Sequence, residues 1–219
     1  MNAIVELRQY TLKPGKRDVL IDLFEREFVE SQEELGMDLI GTFRDADDAD
    51  RFIWLRGFPD MESRTISLAA FYGGPVWKAN RIAANDTMID SDNVLLLRPA
   101  WDGAGFPKGG VRAPVGATAP PKSMVTANIY YLHAPVTAAF LEPFRKLVTP
   151  NIIAAFVTET SENTFPALPV REGENVFVWF SLFADRVGAP ALPSELERQL
   201  SKPVQTLRLL PTARSRLHT

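Results

Sequence analysis

One strand-like segment occurs twice in this chain, and the repeat limits what the chain can fold into. Residues 51–60 read RFIWLRGFPD and residues 176–185 read VFVWFSLFAD, with Phe, Trp, Phe and Asp at matching positions. Both copies are rich in aromatic and β-branched residues and end at an Asp that can cap a helix, as expected of a buried strand that leads into a helix. The sequence therefore predicts one structural unit present twice.

The segments around the repeat follow the same order in both halves. The first half is predicted to form strands at 4–10, 39–44, around Trp54 and at 94–98, with a helix at 16–35 and a second helix from 60 that is interrupted at 73–75. The second half is predicted to form strands at 125–131, 152–157, around Trp179 and at 204–211, with helices after 135 and from 194. We expect an α+β fold with a first domain at 1–100, a Pro- and Gly-rich linker at 101–122 and a second, divergent domain at 123–219.

Helices on one side of a four-stranded sheet cover only one of its faces, and the other face must find a second sheet. We therefore expect the two halves to form a two-sheet barrel with the helices outside. We predict that the aromatic face of each sheet points into this barrel. The predicted inward side chains are Glu6, Arg8, Tyr10, Phe52, Trp54 and Arg56 from the first half, and Thr126, Asn128, Tyr130, Phe177, Trp179 and Ser181 from the second.

Only the first half contributes charged residues to this predicted face. Buried charges are costly unless they are paired, so Glu6 should meet Arg8, Arg56 or a ligand. Two interpretations remain open: the arginines bind a carboxylate, phenolate or enolate, or the three side chains form a structural ion pair. The charge asymmetry makes the first half the preferred place for a binding site.

Each of the remaining site candidates has a structural interpretation beside its functional one. Tyr10, Trp54 and Trp179 could line a pocket for a planar aromatic molecule or could be simple core. His133 could act as a general base or could be polar surface in a turn. The interruption at 73–75, flanked by Tyr72 and Trp77, could form a movable lid or a plain kink.

Composition excludes several classes of function. The formal net charge of -3, without a long run of one sign, does not provide a basic surface for nucleic acid. There is no cysteine, there are only two histidines, and the cluster of acidic residues at 45–50 lacks the Gly and late Glu of a calcium loop, so a solvated hairpin loop is the expected structure and no metal is predicted. No apolar run is long enough to span a membrane, and the first residues do not form a signal peptide, so we expect no membrane partner and a cytoplasmic location.

The stretch VELRQYTLKPGK at 5–16, the FIWLR strand at 52–56 and the closing LRPA at 97–100 resemble the NIPSNAP family. The resemblance implies that each half is a ferredoxin-like βαββαβ repeat of the dimeric α/β-barrel superfamily, which includes cofactor-free monooxygenases, isomerases and haem enzymes, and that the chain can form a homo-oligomer such as a homodimer. It supplies no catalytic motif. We expect binding of a small apolar or aromatic molecule between the two sheets, with cofactor-independent oxygenase or isomerase chemistry as one option, no tightly bound cofactor, and a non-catalytic scaffold as the alternative.

Overall fold

The computed structural model describes residues 2–107, 110–146, 152–183 and 194–219. The strands are β1 (Ile4–Leu12), β2 (Asp38–Asp45), β3 (Arg51–Phe58), β4 (Met88–Asp90), β5 (Val94–Pro99), β6 (Met124–Tyr131), β7 (Ile152–Thr158), β8 (Val176–Phe183) and β9 (Gln205–Pro211). The helices are α1 (Arg17–Leu23), α2 (Val29–Glu33), α3 (Met61–Gly73), α4 (Pro75–Asn85), α5 (Ala138–Lys146) and α6 (Ser194–Glu197). A π-helical turn (Phe24–Phe28) joins α1 to α2.

Eight of these strands close into an antiparallel barrel in the order β1, β3, β2, β9, β6, β8, β7, β5 and back to β1. The β2–β9 and β5–β7 pairs join the two halves of the chain, for example through Phe43 opposite Pro211 and Leu97 opposite Thr158. The predicted barrel within one chain is therefore confirmed. The sequence pattern missed the short β4, which pairs with the end of β1 outside the closed ring.

The two halves use the same pairings in the same register. In the first half Arg8 lies opposite Trp54 in the β1–β3 pair, and in the second half Asn128 lies opposite Trp179 in the β6–β8 pair. Glu6 opposite Arg56 corresponds in the same way to Thr126 opposite Ser181. The residues of the β1–β3 pair therefore have defined counterparts in the β6–β8 pair.

The barrel lumen is filled by one cluster of buried side chains to which all eight barrel strands contribute. Leu7, Leu55, Ala127 and Val178 are typical members, and each is fully buried. An eight-stranded barrel is only wide enough for side chains to fill it, so medium-sized aliphatic residues suit its interior. The lumen is a packed core.

The prediction that the aromatic face points into the barrel is wrong. Tyr10, Phe52 and Trp54 pack against the helices of the first half, and Tyr130, Phe177 and Trp179 pack against the helix layer of the second half. Their alternation partners, such as Leu7 and Ile129, occupy the lumen instead. The twelve predicted residues do share a face on their strands, but that face is the one that the helices cover.

The helices of the first half are placed by local signals. Asp60 accepts a hydrogen bond from the backbone N–H of Ser63 at 2.7 Å and so caps α3, as its position after β3 predicts. Gly74 then separates α3 from α4, which begins at Pro75. Both helices contribute buried residues to the cluster that includes the π-helical turn.

Candidate functional site

A buried ionic cluster lies on the helix-covered face of the first sheet. The Glu6 carboxylate accepts hydrogen bonds from Arg8 Nη1 at 2.9 Å, Arg56 Nε at 2.7 Å and Arg64 Nε at 2.7 Å. None of the four side chains is more than 1% exposed. One carboxylate is therefore shared by three guanidinium groups, which leaves the cluster with two excess positive charges.

The arginines determine the ionisation of Glu6. Burial alone would raise the pKa of the Glu6 carboxyl, but the nearby charges of Arg56, Arg8 and Arg64 outweigh burial and hold this pKa far below its ordinary value of 4.5. Glu6 is therefore a carboxylate at neutral pH. It cannot serve as a general base while it is held in this way, because its lone pairs are already occupied by three cations.

An aromatic-lined cavity lies between the sheet and the helices next to this cluster. Its volume is about 30 Å³, which is room for about two water molecules. The lining residues are Tyr10, Leu20, Phe24, Phe28, Gln32, Trp54, Phe71, Tyr72, Trp77, Ala84 and Met88. They come from β1, β3, β4, α1, the π-helical turn, α2, α3 and α4, so every element of the first half except β2 and β5 contributes to the cavity wall.

Two cavity residues connect the wall to the buried arginines. Arg8 Nε donates to the Tyr10 hydroxyl at 3.1 Å, and Arg56 Nη1 donates to Gln32 Oε1 at 3.0 Å. The Arg8 guanidinium also lies 5.4 Å from the Tyr10 ring centroid and 5.3 Å from that of Trp54. The cations therefore stand directly behind the aromatic wall and contact its rings.

Several buried donors in this region have no hydrogen-bond acceptor among the described residues. They include Trp54 Nε1, Arg56 Nη2 and Arg64 Nη2. Buried polar groups are nearly always paired, and exceptions in a native protein point to a water, an ion or a ligand. Trp54 is the most informative of these, because it also lines the cavity.

The residues of the second half that the structure describes do not reproduce this site. Trp179, the counterpart of Trp54, donates its indole N–H to Ser181 Oγ at 2.9 Å. Phe144 packs against both Phe177 and Trp179, with ring centroids 4.5 Å and 5.2 Å away. Trp179 is therefore a satisfied core residue of the second half and does not join the residues around Glu6.

His133 also stands apart from the cluster. It is exposed in the turn after β6, where its backbone N–H donates to the carbonyl of Gln199 at 3.2 Å. The structure thus brings together five of the seven predicted site residues and leaves two elsewhere. The five are Glu6, Arg8, Tyr10, Trp54 and Arg56.

Sequence reasoning missed two polar residues on helices and two on a loop. Arg64 shares a helix face with Leu68 and Phe71, and Gln32 follows Phe28 by one turn, so helical spacing alone places both polar groups on buried faces. The loop residues come from the second half: Asn163 accepts from Arg64 Nη1 at 3.1 Å, and Phe165 stacks on Tyr72 with centroids 6.0 Å apart. No sequence signal links this loop to the site, because the contact depends on barrel closure.

The described residues contain no group of three or more His, Asp or Glu side chains arranged to hold a metal ion. The acidic residues at 45–50 form the turn between β2 and β3, in which Asp45 and Asp48 accept hydrogen bonds from backbone N–H groups of the turn. Over the same described ranges, no helix has the length and apolarity needed to cross a bilayer.

The barrel resembles solved structures over nearly its whole length. A proposed monooxygenase from Lactobacillus acidophilus NCFM is 13% identical, with a TM-score of 0.54 over 97% of each chain. A proposed monooxygenase from Fusobacterium nucleatum is 8% identical, with a TM-score of 0.56 over 95% of this chain and 92% of the other. At this identity the likeness concerns the fold alone, and it defines the class: an α+β protein built on a closed eight-stranded α/β barrel.

The family comparison concerns the first half of the chain. Residues 5–102 match the NIPSNAP family model. A NIPSNAP-like domain protein from Burkholderia xenovorans is 27% identical, with a TM-score of 0.43 over 48% of this chain and 90% of the other. No curated protein matches the sequence.

Proposed function

We propose that this protein binds a small planar aromatic or apolar molecule between the sheet and the helices of its first half. The observation that carries the proposal is the cavity lined by Tyr10, Trp54 and Trp77 and backed by the Glu6 cluster. A predominantly aromatic pocket with a few convergent polar groups is the usual form of a small-molecule site. This location replaces the expected one between the two sheets, because the lumen is filled.

Ligand entry requires the cavity to widen. A cavity of about 150 Å³ holds a benzene molecule, whereas this one measures about 30 Å³. Tyr72 and Trp77 flank the break between α3 and α4, and both are only partly buried. They are the part of the wall that can move outward most easily, since they are partly exposed whereas Trp54 is buried.

Cofactor-independent oxygenase or isomerase chemistry is a second candidate function. It is supported by the proposed monooxygenases that share the fold. In this proposal the two halves are tandem ferredoxin-like repeats at 1–100 and 123–219, of which only the first kept a binding site. Self-association into a homodimer and a cytoplasmic location stay predictions.

A non-catalytic scaffold is favoured by one observation, the filled lumen. The two proposals differ in what the cavity does. A scaffold has no use for a cavity backed by excess positive charge, because burying charges without a ligand lowers stability. A small-molecule site, in contrast, can use this charge to hold a ligand.

Tryptophan fluorescence can test the main proposal, because two of the four tryptophans line the cavity. In a Trp101→Phe/Trp179→Phe variant only Trp54 and Trp77 remain, and 4-nitrophenol should quench their emission along a saturable curve. In the converse Trp54→Phe/Trp77→Phe variant the quenching should be weak and non-saturable. Equal quenching in both variants, with circular dichroism showing both to be folded, would place binding elsewhere and reject the proposal.

A further inference from the structure

The cavity offers hydrogen-bond donors but few free acceptors. Gln32, the wall residue with an amide, uses its Oε1 to accept from Arg56 and its Nε2 to donate to the carbonyl of Phe28 at 2.9 Å. The Tyr10 hydroxyl oxygen accepts from Arg8, and no described residue accepts its proton. Trp54 Nε1–H likewise has no acceptor among the described residues.

Arg8 strengthens the Tyr10 donor. A hydroxyl that accepts a hydrogen bond from a cation becomes a better donor, because hydrogen bonds in a chain polarise one another. The phenol nevertheless keeps its proton: burial raises the pKa of Tyr10, although the Arg8 charge acts in the opposite direction. At neutral pH Tyr10 can therefore give a proton to a hydrogen bond.

Two cations lie close to the Trp54 ring. The Arg8 guanidinium lies 5.3 Å and that of Arg56 5.0 Å from the Trp54 ring. Tyr10 meets the same indole edge-to-face, with ring centroids 5.8 Å apart. The two donors thus belong to adjacent rings of one wall, and the charge behind both rings is positive.

We infer that the site recognises its ligand through an anionic oxygen, a phenolate, enolate or carboxylate, which accepts hydrogen bonds from Tyr10 O–H and Trp54 N–H. This inference rests on the proposed small-molecule site and adds the chemical class of the ligand. Arg8 is a positioning residue here, because it acts on the ligand through the Tyr10 hydroxyl. The aromatic side chains of the helices contact the flat, apolar part of the molecule.

Two matched probes separate the inference from the proposal on which it rests. Nitrobenzene and 4-nitrophenol have similar shapes, but only 4-nitrophenol can ionise, and its phenolate absorbs visible light. We expect the protein to bind 4-nitrophenol at least about tenfold more tightly, since hydrogen bonds to a charged acceptor are the strong ones. We also expect the bound probe to ionise at a lower pH than the free probe.

Tyr10→Phe tests the donor, because it removes one hydroxyl and keeps the ring. It should weaken 4-nitrophenol binding by about tenfold or more, leave nitrobenzene binding nearly unchanged and cancel part of the shift in probe ionisation. Tyr130→Phe makes the same change at the matching position of the second half and should alter none of these readouts. Arg8→Gln should reduce the ionisation shift while Tyr10 is present.

The outcomes are distinct. If both probes bind equally well and the ionisation of 4-nitrophenol does not shift, the anionic-oxygen inference is wrong and the aromatic site stands. If neither probe binds, the proposed site itself fails. If Arg8→Gln does not fold, Tyr10→Phe and the probe spectrum in the unmodified protein still decide the question.

Discussion

The two halves of the barrel share a strand order and a register but differ in what they place under their helices. At matching positions the first half has Glu6 and Arg56 where the second has Thr126 and Ser181. Trp179 of the second half is hydrogen-bonded within its own sheet, whereas the indole N–H of Trp54 has no acceptor among the described residues. The same backbone thus supports an uncharged core with a hydrogen-bonded tryptophan on one side and a charged, incompletely paired pocket on the other.

The difference concerns the balance between stability and function. A buried ionic cluster contributes little net stability compared with a well-packed apolar core, because desolvation of the charges offsets their attraction. The second half has uncharged side chains at the matching positions. Retaining three arginines around one carboxylate in the first half is easier to understand if the excess charge acts on a ligand.

Removing the shared carboxylate should produce the largest effect. Glu6→Gln leaves three buried guanidinium groups without a counter-charge and should lower the free energy of unfolding by about 3–5 kcal/mol in urea denaturation. The matched change Thr126→Val should be nearly neutral, because the Thr126 hydroxyl has no hydrogen-bond partner among the described residues. Similar losses of unfolding free energy in both variants would mean that the buried charges of the cluster do not account for the effect of Glu6→Gln.

Breaking the satisfied pair of the second half should have the next largest effect. Ser181→Ala removes the acceptor of the buried Trp179 N–H and should lower the free energy of unfolding by about 1–3 kcal/mol. Ser181→Thr keeps the hydroxyl and should lose less. If Ser181→Ala were as stable as the unmodified protein, an indole N–H without an acceptor would cost little free energy of unfolding in this fold. The Trp54 N–H, which has no acceptor among the described residues, would then no longer point to a ligand.

How far the sequence predicts this molecule depends on the residue. Alternation correctly placed Glu6, Arg8, Tyr10, Trp54 and Arg56 on one face, and the repeat correctly predicted the barrel. The choice of face failed because both faces of these strands are buried, so the burial expected from the sequence did not distinguish them. Side-chain size does not separate the faces either, since the lumen holds Phe43, Phe156 and Phe180 as well as smaller residues such as Leu7.

Other contacts could not be predicted at all. The loop residues Asn163 and Phe165 reach α3 from about 100 positions away, and only the closed barrel brings them there. The π-helical turn is similar: Glu25 within it accepts from Thr212 Oγ1 at 2.5 Å and from the Arg214 backbone N–H at 2.9 Å. Single-sequence periodicity carries no information about such long-range partners.

Lowering the pH should show how much the Glu6 carboxylate contributes to the free energy of unfolding. Because the pKa of folded Glu6 is held below its ordinary 4.5, its contribution to stability is complete above that pH and is lost as the pH falls toward the folded-state value. Below pH 4.5 the stability of the unmodified protein should therefore fall more steeply than that of Glu6→Gln, by about 1.4 kcal/mol per pH unit. Parallel curves from urea titrations at several pH values would contradict this assignment.

The tyrosines offer the smallest and least invasive comparison. Burial raises the pKa of Tyr130 to about 12, so the difference in phenolate absorbance between the unmodified protein and Tyr130→Phe should have its midpoint there. This raised pKa stabilises the fold below pH 10, and that contribution is lost as the pH rises through 12. Tyr10→Phe should likewise reveal a midpoint above 10, and a lower one would mean that Tyr10 is not held as a neutral donor.

Three buried alanines provide the most direct test of where the ligand binds. Ala84 lines the cavity of the first half, Ala127 lies in the lumen, and Ala155 lies under the helix layer of the second half. Each is replaced by valine, and 4-nitrophenol binding is measured by titration after circular dichroism has confirmed the fold. We predict that only Ala84→Val loses binding. Loss in Ala127→Val or Ala155→Val, with binding retained in Ala84→Val, would contradict a site under the helices of the first half.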